Sequence, residues 1–95
     1  MKRLVWSEDA ETDLDSITDY IARDDVMAAI GMRDEIEGQI ERLREFPLSG
    51  REGRKDATRE LVVVRAPFIV VYTASDAVQI IRVLHGAQQW PSGPL

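Results

Sequence analysis

Residues 7–22, with the sequence SEDAETDLDSITDYIA, carry the signals of an amphipathic helix. Ser7 stands where a helix N-cap is expected, and the acidic residues that follow it favour the positive end of the helix dipole. Apolar side chains recur at spacings of three and four and so share one helical face: Ala10, Leu14, Ile17 and Ile21. The stretch therefore predicts a helix that packs through one face and leaves most of its acidic residues in solvent.

A second helix is predicted from about Val26 to Phe46, after a short break where Asp24 or Asp25 supplies the N-cap. Pro47 ends it. Its apolar stripe consists of Ala29, Met32, Ile36, Ile40 and Leu43. Two amphipathic helices joined by a short turn predict an antiparallel helical hairpin.

Strand-like segments lie on both sides of this hairpin. One short segment precedes it at residues 2–6, and a charged loop at residues 47–58 leads into three more. These three have the sequences RELVVVR (59–65), FIVVYTA (68–74) and AVQIIRVLH (77–85). The order β-α-α-β-β-β predicts an α+β fold in which the helical hairpin covers one face of a small, largely antiparallel sheet.

Length and composition predict one folded domain, residues 1–95, with an irregular C-terminal tail at 88–95. The chain is 44% hydrophobic, and it has no cysteine for a disulfide or a thiolate site. The first residues, MKRLVW, do not resemble a signal peptide, and no apolar run approaches the roughly 20 residues of a membrane span. We therefore expect a cytoplasmic protein that does not enter a membrane.

The charge of the chain is divided unevenly. Residues 1–46 hold 6 basic and 13 acidic side chains, whereas residues 47–95 hold 6 and 4, which leaves a net charge of −5. Proteins that bind DNA directly are usually basic, so we expect no direct DNA binding by this chain alone. The local basic cluster of Arg51, Arg54, Lys55 and Arg59 is either a set of solvated loop charges or a phosphate-binding surface.

Six residues are candidates for contact with a partner. Arg82 is predicted on the strand face that also carries Val78, Ile80 and Leu84, where a charge needs a counterion. That counterion is either a carboxylate of a partner or an acid of the chain's own helices. The other candidates are Arg59, Arg65, Tyr72, His85 and Trp90. Tyr72 has a core position as its alternative, and Trp90 has packing back on the sheet.

The chain offers no set of residues for a metal or a cofactor. One histidine and no cysteine cannot supply a usual zinc site. The segment SGREGR lacks the lysine and the strand–loop–helix context of a nucleotide-binding loop. The sequence therefore predicts neither a metal nor a cofactor.

Five segments in order resemble the RelE/ParE superfamily of toxins from bacterial type II toxin–antitoxin modules. They are VWSEDAETDLDSITDYIA, REFPLSGREGR, TRELVV, FIVVY and IIRVLHGAQQWP, and they span about residues 4 to 91. The resemblance implies the family's fold and a cognate antitoxin that wraps the toxin's sheet and helices. RelE-like members cut mRNA in the ribosome, and ParE-like members poison DNA gyrase and act in plasmid stabilisation.

The ParE-like branch is the better match. In RelE-like nucleases an arginine lies within the motif that here is FIVVY, at the position aligned with Ile69, and a second basic residue lies where this chain has Gly86 or Ala87. The resemblance thus implies a gyrase inhibitor neutralised by a ParD-like antitoxin, which acts by binding rather than as an enzyme. Two alternatives stay open. One is a ribosome-dependent mRNA endoribonuclease with His85 as its acid or base, and the other is a non-toxic antitoxin-binding regulatory protein.

Overall fold

The computed structural model describes residues 1–86 and residue 90, so the expected irregular tail at 88–95 lies, Trp90 apart, outside the described residues. Two helices and five strands confirm the α+β prediction. Their bounds are β1 Arg3–Trp6, α1 Glu8–Ala22, α2 Val26–Glu41, β2 Arg51–Glu52, β3 Arg59–Val62, β4 Phe68–Ala74 and β5 Ala77–His85.

The strands form one mixed sheet in the order β1-β5-β4-β3-β2. β2 to β5 pair antiparallel, whereas β1 pairs parallel with the first half of β5. The helical hairpin is the connection between β1 and the remaining strands, and it returns the chain to the far edge of the sheet. β1 therefore leaves the second half of β5 available to α1.

Side-chain caps start both helices where the sequence predicts them. The Ser7 hydroxyl accepts the backbone N–H of Ala10 at 3.0 Å, and the Asp25 carboxylate accepts that of Ala28 at 3.0 Å. The predicted end of the second helix at Phe46 is too late. A 3₁₀ turn, Arg42–Arg44, follows α2, because the bonds tighten to the i→i+3 type before the chain leaves the helix.

Two strand predictions also need correction. β3 ends at Val62 rather than at residue 65, because Arg65 lies in a turn with a left-handed φ of 66° and cannot continue a strand. Residues 47–58 are not only a loop. Two of them, Arg51 and Glu52, pair with Glu60 and Arg59 and form the edge strand β2.

A β-bulge in β5 overturns the predicted face of Arg82. The ladder pairs Tyr72 with Ile80 but Val71 with Arg82, so Ile81 is an extra residue. After the bulge, Val83 joins Val78 and Ile80 in the core cluster, and Arg82 does not share their face. An extra residue shifts the alternation of side chains between the two faces of the strand. A sequence pattern of period two therefore predicts the wrong face for the residues on one side of the bulge.

The core lies between the hairpin and one face of the sheet. Its members come from α1, from α2 with its following turn, from the residue after β3, and from β4 and β5: Ala10, Leu14, Ile36, Ile40, Leu43, Val63, Phe68, Val70, Tyr72, Val78, Ile80 and Val83. All the predicted stripe residues of both helices except Ile17, Ile21 and Met32 are buried, and Ile17 and Met32 pack against the cluster. The helical periodicity thus identified the packing face correctly.

Tyr72 is part of this core and fixes the loop that precedes β2. Its side chain has no exposed surface, and its hydroxyl donates to the carbonyl of Pro47 at 2.9 Å and accepts the N–H of Gly50 at 2.9 Å. A Cβ on Gly50 would lie 2.5 Å from that hydroxyl, so the close approach needs glycine. The structure thus places Tyr72 in the core position that the sequence left open.

We predict that Tyr72→Phe lowers the free energy of unfolding by about 1–3 kcal/mol, because it leaves the partly buried carbonyl of Pro47 and the buried N–H of Gly50 without their partner. Urea denaturation measures the change. Tyr20→Phe is the matched control, since Tyr20 is 70% exposed and should leave the midpoint unchanged. Equal effects of the two substitutions would contradict the role given to the Tyr72 hydroxyl.

Candidate binding surfaces

A salt bridge joins α1 to β5. The Arg82 guanidinium donates from Nε and Nη2 to the two carboxylate oxygens of Asp13, at 2.7 and 2.9 Å. One of these oxygens also accepts the backbone N–H of Val83 at 3.0 Å. The hydrogen bond to Asp13 raises the pKa of Arg82 above its ordinary value. The counterion of Arg82 is thus an acid of the chain's own helix, and a further contact with a partner stays a prediction.

Glu60 is a buried carboxylate held by the basic loop. It is 2% exposed, and its oxygens accept from the Arg51 guanidinium at 3.0 Å and from the backbone N–H of Arg54 at 3.1 Å. The Arg54 guanidinium lies 3.4 Å away. Sequence reasoning missed this arrangement, although a glutamate inside an apolar strand just after a run of basic residues is a usable signal. Two of the four basic loop residues thus compensate an internal acid.

Arg59 also serves the chain's own backbone. Its guanidinium donates to the carbonyl oxygens of Gly50 and Leu48, both at 3.1 Å. These bonds hold the segment before β2 beside the start of β3. The fourth basic residue, Lys55, lies in the exposed part of the same loop. The cluster that could have bound phosphate is therefore largely committed to holding the loop.

An apolar cavity opens where β5 ends. The His85 ring meets the ring of Phe68 edge to face, with centroids 5.9 Å apart. Both rings line a cavity of about 430 Å³ between α1 and the end of the sheet, and the side chain of Tyr20 forms its exposed rim. Its other walls come from Ser16, Ile17, Ile21, Met32 and Pro67. This site suits an apolar side chain of a partner.

The remaining predicted residues lie apart from one another. Arg65 is exposed in the β3–β4 turn, at the same end of the sheet as His85, because β5 ends opposite the start of β4. Trp90 is half-buried beyond β5. Arg59 lies at the opposite end of β3 from the turn. The structure therefore brings only Arg65 and His85 to one end of the sheet and does not gather the six residues into one site.

The tip of the helical hairpin adds exposed apolar surface. Tyr20, Val26, Met27 and Ile30 are all exposed there, although the sequence analysis assigned them no role. Three acidic side chains lie at this tip and are exposed, namely Asp19, Asp24 and Asp25. An apolar patch with an acidic rim is typical of a protein-binding surface.

Other site types find no support in the part of the chain that the structure describes. No group of three or more histidine, cysteine or acidic side chains is placed to hold a metal ion there. None of the described helices is long and apolar enough to cross a membrane.

Comparison with known proteins gives the family. The family model for the ParE toxin of the type II toxin–antitoxin system parDE matches residues 4–90 of this sequence. The chain belongs to the ParE toxin family. This result confirms the resemblance found in the sequence and makes the protein a toxin-family component of a type II toxin–antitoxin system.

Curated and solved relatives of this ParE family member carry toxin or toxin–antitoxin names. It is 43% identical to the Sinorhizobium fredii protein named "Putative toxin Y4kP" over 95% of this chain and 94% of the relative. It is 36% identical to "Toxin RelE2" of Caulobacter vibrioides over 93% of this chain and 99% of the relative. A solved structure of the chromosomal ParDE system from P. aeruginosa matches with a TM-score of 0.81 and 27% identity, covering 90% of this chain and 96% of that one.

We predict that Asp13→Ala lowers the free energy of unfolding by about 2–3 kcal/mol, because it removes a charged partner from both Arg82 and the N–H of Val83. Chemical denaturation gives the value. Asp15→Ala is the control, since its salt bridge to Arg33 at 3.0 Å is exposed and should contribute less than about 1 kcal/mol. A larger loss from Asp15→Ala would contradict this assignment.

The raised pKa of Arg82 sets the pH dependence of this salt bridge. A group whose pKa is higher in the folded state contributes fully below its unfolded pKa and loses that contribution as the pH rises through the folded value. The contribution of Arg82 should therefore not change across neutral pH and should fall only under strongly alkaline conditions. Denaturation of the Arg82→Met variant and the parent chain across neutral pH should give a constant difference, and a change there would contradict the assignment.

Proposed function

We propose that this ParE family member inhibits DNA gyrase and is neutralised by a ParD-like antitoxin. The apolar cavity at the end of β5, with its exposed apolar and acidic surroundings, is the observation that carries the proposal. Such a surface favours protein partners. A nuclease site instead needs cationic groups that converge on a phosphate.

The positions that would serve RNA cleavage support binding rather than catalysis. Ile69, aligned with an arginine of RelE-like nucleases, is 8% exposed and aliphatic, so it can neither hold a phosphate nor move a proton. Arg82, Arg51 and Arg59 all take internal acceptors. His85 lies against Phe68 at the rim of an apolar cavity. We infer that His85 contacts a partner protein.

The antitoxin's chemistry follows from the surface it would cover. The hairpin holds most of the 13 acidic side chains of residues 1–46, and the cavity beside it is lined mostly by apolar side chains. We infer that the antitoxin segment on this surface is basic and carries an aromatic or aliphatic anchor for the cavity. Charge complementarity of this kind speeds association and makes it sensitive to salt.

The gyrase assignment is tested by supercoiling of relaxed plasmid by purified gyrase and ATP. We expect the chain to inhibit supercoiling and to accumulate linear plasmid, because a toxin that stabilises cleaved DNA on gyrase leaves broken molecules. Prior addition of the antitoxin should restore supercoiling. Inactivity towards gyrase by a chain that arrests growth on induction would exclude this target.

The nuclease alternative keeps one observation in its favour, the 36% identity to the protein named "Toxin RelE2". It predicts that His85→Ala abolishes cleavage of ribosome-bound mRNA while the fold and antitoxin binding persist. A chain that causes no growth arrest would favour instead the non-toxic regulatory protein. Induction of the wild type and of His85→Ala, followed by sequencing of mRNA ends, separates these outcomes.

We predict that Tyr20→Ala weakens antitoxin binding about tenfold or more, the loss typical of an aromatic residue central to an interface. Titration calorimetry against the antitoxin measures it, and the wild-type affinity should fall as salt is added. Leu48→Ala is the control, since Leu48 is also exposed but lies away from the cavity. Equal losses from both variants would place the antitoxin elsewhere.

A further inference from the structure

A second apolar groove lies where the end of the helical hairpin meets β3. Its volume is about 380 Å³, and it shares no lining residue with the cavity beside His85. The end of α2 and the 3₁₀ turn supply one wall, and β3 with the residues after it supplies another. Three of its apolar side chains are largely exposed, with Phe46 at 56%, Val62 at 49% and Val64 at 62%. Contiguous apolar surface of this kind marks a place where another molecule can bind.

The wall of this groove beyond β3 is fixed by the chain's own contacts. The side-chain amide of Gln39, on α2, accepts the N–H of Val64 at 2.9 Å and donates to the carboxylate of Glu35 at 2.7 Å. The N–H of Ala66 closes the following turn on the carbonyl of Val63 at 3.4 Å. The groove is therefore formed before a partner arrives, and little loss of entropy through ordering opposes binding.

The groove carries positive charge that the fold does not use. Arg42 is the one charged residue in its described lining, and it is exposed. No hydrogen bond or salt bridge within residues 1–86 uses the guanidinium of Arg42, nor that of the exposed Arg65, which directly follows Val64. Most of the chain's other arginines donate to internal acceptors. A guanidinium without an internal acceptor, placed beside apolar surface, suits a carboxylate that it can bind through two parallel hydrogen bonds.

We propose that this groove binds a segment of the toxin's target in which a carboxylate lies beside an aromatic or aliphatic side chain. The apolar side chain packs against Phe46 and Val62, and Arg42 binds the carboxylate. Aromatic residues and arginine are the types that are enriched at protein interfaces. The inference rests on the proposed function, since gyrase is the target that it names.

The charge of the groove separates this occupant from the antitoxin. The hairpin tip beside the other cavity carries the exposed acids Asp19, Asp24 and Asp25, which favour a basic antitoxin segment. Arg42 and Arg65 repel a basic segment and attract an acidic one, so the same segment does not fit both sites. The antitoxin at the cavity and the target at the groove therefore contact different residues of the toxin.

The test measures gyrase inhibition and antitoxin affinity on the same variants of the full chain. Arg42→Glu should raise the toxin concentration that halves supercoiling by about tenfold or more, because it sets a like charge against the target's carboxylate. Arg42→Gln removes the charge without reversing it and should give a smaller loss. Phe46→Ala should weaken inhibition as well, through the apolar half of the site. Antitoxin affinity, measured by titration calorimetry, should stay within about twofold of the wild type for all three variants.

Arg3→Glu is the matched control. Arg3 is exposed on β1, at the opposite edge of the sheet from β2 and β3, so the same change of charge there should leave inhibition as in the wild type. Circular dichroism shows that each variant is folded. If an acid at the C-terminal end of the hairpin unfolds the chain, Arg42→Gln and Phe46→Ala carry the test.

Unchanged inhibition by folded Arg42→Gln and Phe46→Ala overturns the proposal. So does a loss of antitoxin affinity, which would place the antitoxin in the groove. A loss from the Arg42 variants but not from Phe46→Ala also overturns it, because that result indicates a DNA phosphate as the partner of Arg42.

A wild-type chain that does not inhibit gyrase would exclude the proposed function without deciding the role of the groove. Growth arrest on induction then becomes the measurement. Loss of arrest in Arg42→Gln and Phe46→Ala, with antitoxin affinity kept, supports a groove that binds a different target. Arrest as strong as that of the wild type overturns the proposal.

Discussion

The contact of Asp13 with Arg82 and with the N–H of Val83 fixes the position of the helical hairpin on the sheet. This contact lies beyond the part of β5 that pairs with β1. Along the rest of β5, α1 lies where a neighbouring strand would otherwise pair. The bulge at Ile81 makes this possible by turning Arg82 off the face of Ile80. The cavity beside His85 lies between α1 and the end of the sheet.

Arginines that bind internal partners also determine which charges are left on the outer surface. Arg82, Arg59 and Arg51 stabilise a helix, a loop and a buried acid, so these cations do not form a joint site for phosphate. The hairpin is left acidic, with an apolar tip and an apolar cavity beside it. We propose that this arrangement serves contacts with other proteins rather than catalysis on RNA.

Local signals in the sequence predicted most of the fold. The caps at Ser7 and Asp25 and the bounds of β4 and β5 agree with the structure, because each depends on residues close in the chain. The bulge at Ile81 and the strand β2 were not predictable in this way, since both depend on which residues of another strand lie opposite. The same holds for the compensation of Glu60 by Arg51, a contact set by the loop's tertiary position.

The candidate site residues show the same difference between local signals, which the sequence contains, and tertiary contacts, which it does not. Sequence shows residue types but not the internal hydrogen-bond partners that Tyr72, Arg59 and Arg82 have in the fold. Contact of these residues with a partner protein stays a prediction. The most direct test of a binding toxin is to induce the chain in cells and map gyrase–DNA covalent complexes and new mRNA ends together. If the chain is a gyrase poison, gyrase–DNA complexes should accumulate without new mRNA ends. New mRNA ends without gyrase complexes would contradict this proposal.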